Sequence, residues 1–229
     1  MRLVHLCVAG LLLLSGMVVV VAFDWVTLPP QWDPRIPFEV RSEPNWFRRL
    51  QAKTISKTPE KCLAALQAYA PSVEINEGFK EAEQTSCGIE TRVTLTELGG
   101  MQLKRVTTAC ETALSLALWV EHDIKPVFAR EARQVKAIEH IGSYNCRKIY
   151  GTNRWSTHST AQAIDITGFE FEDGTRWSLI EDWQSQPVLA ELGERSCRWF
   201  RQVLGPSYNR AHANHFHLST KSFPLCRGG

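Results

Sequence analysis

The pattern of hydrophobic and polar positions changes period several times along this chain, and each change marks an element. Leu3 to Phe23 is apolar apart from His5, Gly10, Ser15 and Gly16. Placed after Met1-Arg2, this run predicts an export signal with a cleavage site at Val20-Val21-Ala22, or, if uncut, an N-terminal membrane anchor of about 20 residues. From Asp24 to about Lys57 no period holds, because Pro29, Pro30, Pro34, Pro37 and Pro44 interleave with Trp25, Trp32, Trp46 and Phe47. Those prolines exclude a long helix, and the aromatics predict a segment wrapped onto the domain. Thr58-Pro59-Glu60 then reads as a helix start, with apolar positions at Leu63, Leu66 and Tyr69.

Further along, Gly88 to Leu98 alternates at Ile89, Thr91, Val93 and Leu95, the signature of a half-buried strand. Ala109, Ala113, Leu116, Leu118 and Val120 predict a helix from Thr107 to about Glu121, buried over most of its circumference, with a second short helix near Asp123. Val135 to Ile141 is expected to be a strand, Gly142 to Thr157 a polar loop, and Ala161 to Phe169 a strand. Ser178 to Trp183 and Pro187 to Leu204 are expected to be helices, and His215 to Ser219 a final strand. This order predicts an α+β fold in which a small antiparallel sheet is flanked by helices. Three segments follow: a signal or anchor at 1–23, a Pro/Trp-rich wrapping segment at 24–57, and one domain at 58–229.

Composition changes this picture in two respects. With 26 basic and 24 acidic residues the net charge is +2, which gives no basic face for nucleic acid. Of seven cysteines, Cys7 lies inside the apolar run. The other six, Cys62, Cys87, Cys110, Cys146, Cys197 and Cys226, form an even set without a CxxC pair. In an exported chain they are expected to be disulfides stapling the domain. Six cysteines allow fifteen pairings, and spacing does not choose among them.

The candidate chemistry lies in the histidines. Three fall within six residues, His212-Ala-Asn-His215-Phe-His217, and His158 sits seven residues before Asp165. On a strand, His215 and His217 face the same side. Asp165, within Ala163-Ile164-Asp165-Ile166, is a carboxylate in an apolar setting and needs a cationic or metal partner. Zinc takes nitrogen and carboxylate donors, and three protein ligands with a fourth position for water make a hydrolytic site. His158, Asp165 and one of the paired histidines meet that count. The alternative partner for Asp165 is an arginine, Arg147 or Arg154. His122 and His140 stand alone and are assigned no catalytic part.

Ser156-x-His158 with Ala163-x-Asp165 and His212-x-x-His215-x-His217 resembles the zinc peptidases that include D-alanyl-D-alanine carboxypeptidases and murein endopeptidases. More closely, Gly142-Ser-Tyr-Asn-Cys146-Arg147, Ala163-Ile-Asp165-Ile-Thr-Gly168-Phe169, Val203-Leu-Gly-Pro206 and His215-Phe-His217-Leu resemble the bacterial extensin-like C-terminal family, thought to be a branch of that superfamily. The likeness covers about Trp25 to Cys226. It implies one zinc ion held by His158, Asp165 and His217, with His215 and His212 as catalytic histidines and Arg147 and Ser156 meeting substrate. It also implies the pairs Cys62 with Cys87, Cys110 with Cys146 and Cys197 with Cys226. The implied activity is hydrolysis of peptide bonds in peptidoglycan, in the periplasm or cell envelope, with membrane contact only through residues 3–23.

This chain departs from the peptidases in having Ala161 where they usually have glycine, and in having no glutamate between His212 and His217. Catalysis would then rest on histidine. Two other readings stand beside the enzyme: a zinc-containing wall- or partner-binding module without turnover, and a wall-binding protein stacking sugars on its tryptophans. Trp119, Trp183 and Trp199 lie on expected helices as core, which leaves Trp155, beside the His158 loop, to touch substrate.

Overall fold

The computed structural model describes residues 5, 7–8, 10–11, 15–16, 27–83 and 86–229. Most of the apolar run at 3–23, its cleavage site and Trp25 lie outside the described residues. Among those described, no helix is long and apolar enough to cross a membrane. The chain divides into two compact units, 1–37 and 38–229. Within the first, Pro30–Trp32 forms a 3-10 turn, and Arg35 pairs with Asp33 at 2.7 Å.

The second unit carries the strands β1 (Glu74–Asn76), β2 (Phe79–Lys80), β3 (Gly88–Ile89), β4 (Arg92–Leu98), β5 (Met101–Ala109), β6 (Val135–Gly142), β7 (Ala163–Phe171), β8 (Arg176–Ser178), β9 (Gln202–Leu204), β10 (Phe216–Ser219) and β11 (Leu225–Arg227). Its helices are α1 (Trp46–Ile55), α2 (Pro59–Tyr69), α3 (Cys110–Trp119), α4 (Lys125–Arg130), α5 (Leu179–Asp182) and α6 (Pro187–Ser196), and a π-helical turn, Val120–Ile124, joins α3 to α4. The α+β class is as expected, but the sheet is larger and mixed. Nine strands run in the order β1-β4-β5-β6-β7-β10-β9-β11, with β8 on β7, while β2 and β3 form a separate ribbon. Two pairings are parallel, β5 with β6 and β9 with β11. The first is possible because α3 and α4 supply the long crossover that parallel neighbours need.

Several boundaries differ from the sequence reading, each for a local reason. Residues 46–55 are helical within the segment expected to be irregular; the prolines stop at Pro44, and the Asn45 side chain caps the helix by accepting from Arg48 N–H. Thr107 to Ala109 belong to β5, because the chain passes from strand to helix at Ala109–Cys110 with no intervening loop. The expected strand 88–98 is broken at Glu90–Thr91 into β3 and β4. The expected helix to Leu204 ends at Ser196, and Gln202–Leu204 pairs with β10 instead.

The core lies under α3, whose residues are buried apart from Glu111. Trp119 is fully buried, donates Nε1–H to the Leu192 carbonyl at 3.1 Å, and meets Phe216 edge-on with centroids 6.3 Å apart. Phe128 packs between Phe169 and Phe171 at 5.0 Å. Each such buried side chain contributes about 1.5–3 kcal/mol through apolar burial. Trp183 and Trp199 pack against the same core, as expected. Phe38, Val40, Ala52 and Ile55 also join it.

All six domain cysteines are bridged, Cys62–Cys110, Cys87–Cys146 and Cys197–Cys226. Only the last pair agrees with the connectivity that the resemblance implied. The first two are exchanged because α2 packs on α3, bringing Cys62 to the first residue of that helix, whereas Cys87, beside β3, faces the loop after β6.

Candidate metal centre

Two of the three expected ligands come from neighbouring strands in register. β7 and β10 are antiparallel, and Asp165 stands directly opposite His217. Strand alternation sends Ile164, Ile166, Phe216 and Leu218 to the opposite face, where all four are fully buried. Shifting either strand by one residue would exchange Asp165 or His217 for these core residues.

The third ligand, His158, rides on a 3-10 turn, Thr157–Thr160, that enters β7. Ser156 caps this turn, its hydroxyl accepting from His158 N–H at 3.3 Å. The turn ends at Ala161, which holds φ +51°, the left-handed conformation that favours glycine. The carbonyl of Ala161 is a hub: it accepts from Thr112 Oγ1 at 2.9 Å, Thr108 Oγ1 at 3.1 Å and Ala109 N–H at 3.2 Å. Ser143 Oγ lies 2.7 Å from Thr108 Oγ1 and donates to the Ala163 carbonyl at 2.6 Å. These contacts tie the ligand turn to β5, α3 and the end of β6. Thr108 and Thr112 are marked by no motif, and Ser143 lies in the Gly142–Arg147 run of the family resemblance, which gave it no role.

The donor atoms converge. His158 Nε2 lies 3.1 Å from His217 Nδ1 and 3.2 Å from Asp165 Oδ1, and His217 Nδ1 lies 2.9 Å from Asp165 Oδ1. Zinc–ligand distances of about 2.0–2.1 Å put tetrahedral donors about 3.3 Å apart, so this triangle needs only slight opening to accept the ion. His158 Nδ1 donates to the Ser143 carbonyl at 2.7 Å, which makes Nε2 the nitrogen that faces the other two donors. Thr157 Oγ1 lies 3.4 Å from His217 Nε2. Two imidazoles and a carboxylate, at most 9% exposed, fit a borderline-soft divalent cation. Burial alone would raise the Asp165 pKa, but hydrogen bonds and charge from His158 and His217 outweigh it and hold the carboxyl well below the usual range. Asp165 makes no ion pair with Arg147 or Arg154; its partners are histidines.

The remaining expected site residues surround this centre in one cleft of about 970 Å³. His215 Nε2 stands 3.8 Å from Asp165 Oδ1, and its Nδ1 lies 2.8 Å from Asn214 Oδ1. The His212 ring lies 5.2 Å from that of His215 and 5.9 Å from that of His217, with Nδ1 2.8 Å from Asn209 Oδ1. An amide oxygen only accepts, so both rings carry their proton on Nδ1 and keep Nε2 basic. Burial, reinforced by the charges of His215 and His217, pushes His212 down to about 4. Burial also lowers His215, with help from His217, His158 and Arg147 against the opposing pull of Asp165. Both are therefore neutral near pH 7.

Arg147 is exposed on the cleft wall, and Trp155 is half-buried beside it. Ser156 also lines the cleft, but it is 7% exposed and its hydroxyl is engaged in the cap. His122 and His140 are elsewhere, hydrogen-bonded to the carbonyls of Val40 and Lys104. Asn209, Asn214 and the Ser143 carbonyl, which orient the histidines, were not found from sequence.

A family model described as extensin-like protein C-terminus matches residues 60–227 of the chain. No curated protein and no solved structure matches it.

Proposed function

The chain belongs to the extensin-like C-terminal family, and from that premise we propose that it is a zinc-dependent hydrolase of peptide bonds in peptidoglycan, exported to the cell envelope and related to the D-alanyl-D-alanine carboxypeptidase type of zinc peptidase. The observation that carries the reading is the convergence of His158 Nε2, Asp165 Oδ1 and His217 Nδ1 on the wall of a large cleft. Three such donors leave a fourth position for water, the arrangement of hydrolytic rather than structural zinc sites.

His158, Asp165 and His217 would hold the ion. When bound there, zinc supplies a hydroxide near neutral pH and polarises a carbonyl. The Nε2 of His215, 3.8 Å from the Asp165 carboxylate, would take a proton from the nucleophile and return it to the leaving amine. The His212 ring lies tilted against that of His215 and would serve as a second base in the pocket. Arg147 offers a planar fork to a substrate carboxylate.

One feature favours a second reading, a zinc-containing binding module: no glutamate lies between His212 and His217, so the commonest base of zinc hydrolases is missing from that segment. The two readings separate in one experiment. Elemental analysis should find about one zinc per chain in the wild type and in His215→Ala, and the metal should be lost in His217→Ala. Release of peptide fragments from crosslinked peptidoglycan by wild type but not by His215→Ala supports the enzyme. Zinc without turnover leaves the binding module, and a chain that takes up no zinc overturns both.

A further inference from the structure

The cleft around the candidate metal centre is lined by five cationic side chains and three carboxylates. One carboxylate, Asp165, is committed to the histidines; Glu90 pairs with Lys80 at 4.0 Å; Glu111 accepts a hydrogen bond from Gln162. The four other cations, Lys57, Arg147, Arg154 and Lys221, have no carboxylate within ion-pair distance among the described residues. They arrive from three separate segments: the end of α1, the loop after β6 and the turn after β10. A chain whose net charge is only +2 thus surrounds one cleft with unneutralised positive charge.

The segment that brings two of these cations is a built element. Residues 147–156 form a hairpin closed by Ser156 N–H to Arg147 O at 3.1 Å and Ile149 N–H to Arg154 O at 2.9 Å, with Gly151 at φ +72° in its tip. Cys146, at its base, is bridged to Cys87. The tip presents Tyr150, 99% exposed, and Ile149, 41% exposed. Tyrosine and arginine on a rigid arm are residues of the kind that dominate binding surfaces. Exposed cations beside aliphatic and aromatic groups suit a chain that alternates carboxylates with apolar side chains. Sugar hydroxyls would call instead for a dense array of amides and carboxylates, whereas the charged lining groups without an ion-pair partner among the described residues, Asp165 apart, are four cations and Glu111.

We propose that the cleft is selective for an acidic peptide, with Arg154 on the hairpin and Lys221 in the turn after β10 as specificity-determining residues that meet its carboxylates. This deepens the hydrolase reading, since such a peptide would lie across the metal centre, but its test does not depend on turnover.

The probes are a fluorescent Glu/Ala hexapeptide, its Gln/Ala counterpart and an anionic polysaccharide, titrated by anisotropy into the full domain with and without zinc. The acidic peptide should bind, weaken as salt rises and exceed the Gln peptide. Arg154→Ala with Lys221→Ala should weaken it about fivefold to tenfold, while Lys61→Ala, a surface lysine outside the cleft lining, leaves it unchanged. Equal binding of the Glu and Gln peptides overturns the proposal, as does a double variant that binds like wild type. Binding of the polysaccharide but not the acidic peptide replaces it with an anionic glycan. A protein that takes up no zinc yet discriminates the peptides retains this inference and loses the hydrolase.

Discussion

Asp165→Asn keeps the size of the side chain and removes its charge, so it isolates what the carboxylate does. In the zinc-free protein Asp165 is 9% exposed and lies 2.9 Å from His217 Nδ1 and 3.2 Å from His158 Nε2. Hydrogen bonds to an ionised group contribute about 1.5–3 kcal/mol and neutral ones about 1 kcal/mol. An amide retains the weaker kind, so the expected loss is about 2 kcal/mol, or about 4–8 °C in Tm for a domain of this size. The sign of the pH dependence follows from the depressed Asp165 pKa. That stabilisation is present above the unfolded carboxyl pKa of about 4 and is lost as pH falls through the lower folded value. The gap between wild type and variant should therefore narrow below about pH 4, not widen.

With zinc the effect is expected to be larger. Structural zinc sites bind with about 10–16 kcal/mol over four donors, or about 3 kcal/mol for each, so one lost ligand should cost about 100-fold in affinity. Urea melts with and without zinc, together with competition against a chelating dye, measure both effects. A variant that binds zinc within about threefold of wild type would refute the ligand assignment.

Three further outcomes are expected. Thr112→Val removes one donor from the Ala161 carbonyl but leaves Thr108 and the Ala109 N–H; the cost should be about 1 kcal/mol in urea melts, with zinc affinity lowered about tenfold as the His158 turn loosens. Cys87→Ser with Cys146→Ser opens a bridge spanning 59 residues, worth about 4 kcal/mol by loop entropy; non-reducing peptide mapping of this variant should still recover Cys62 joined to Cys110. Trp119→Ala should cost about 3–5 kcal/mol, and a loss under about 1 kcal/mol in the same melts would contradict its place at the centre of the core.

Much of the candidate site was legible because its chemistry is concentrated in two short runs. A carboxylate set among isoleucines and a His-x-His on a strand each demand a partner, and each is the other's partner in the sheet. The helix at 59–69 and the strands at 135–142 and 163–171 were legible from Pro59 and from apolar clustering. What could not be read was tertiary in origin. The passage from β5 to α3 carries no turn residue, since Ala109 and Cys110 change conformation without a loop. Helical propensity runs on past Ser196, but the chain there is claimed by the bridge from Cys197 to Cys226 and by pairing with β10. Disulfide partners were equally hidden, because they depend on how α2 lies on α3 rather than on spacing. Ala161 adopts a left-handed φ that favours glycine; its carbonyl, held by Thr108, Thr112 and the Ala109 N–H, over-determines the conformation.

The connectivity has a consequence for how the protein is made. Cys62–Cys110 and Cys87–Cys146 interleave, each bridge enclosing one cysteine of the other. A chain threaded amino terminus first into an oxidising space presents Cys87 to Cys62 before Cys110 has emerged, so the first bond available in time is the wrong one. If the chain is exported in this way, as proposed, maturation would depend on exchange, in which a later thiolate attacks the premature bridge. A cell lacking a disulfide isomerase would accumulate this chain in mispaired forms, with β3 and the first turn of α2 fastened together and the His158 turn left without its neighbours.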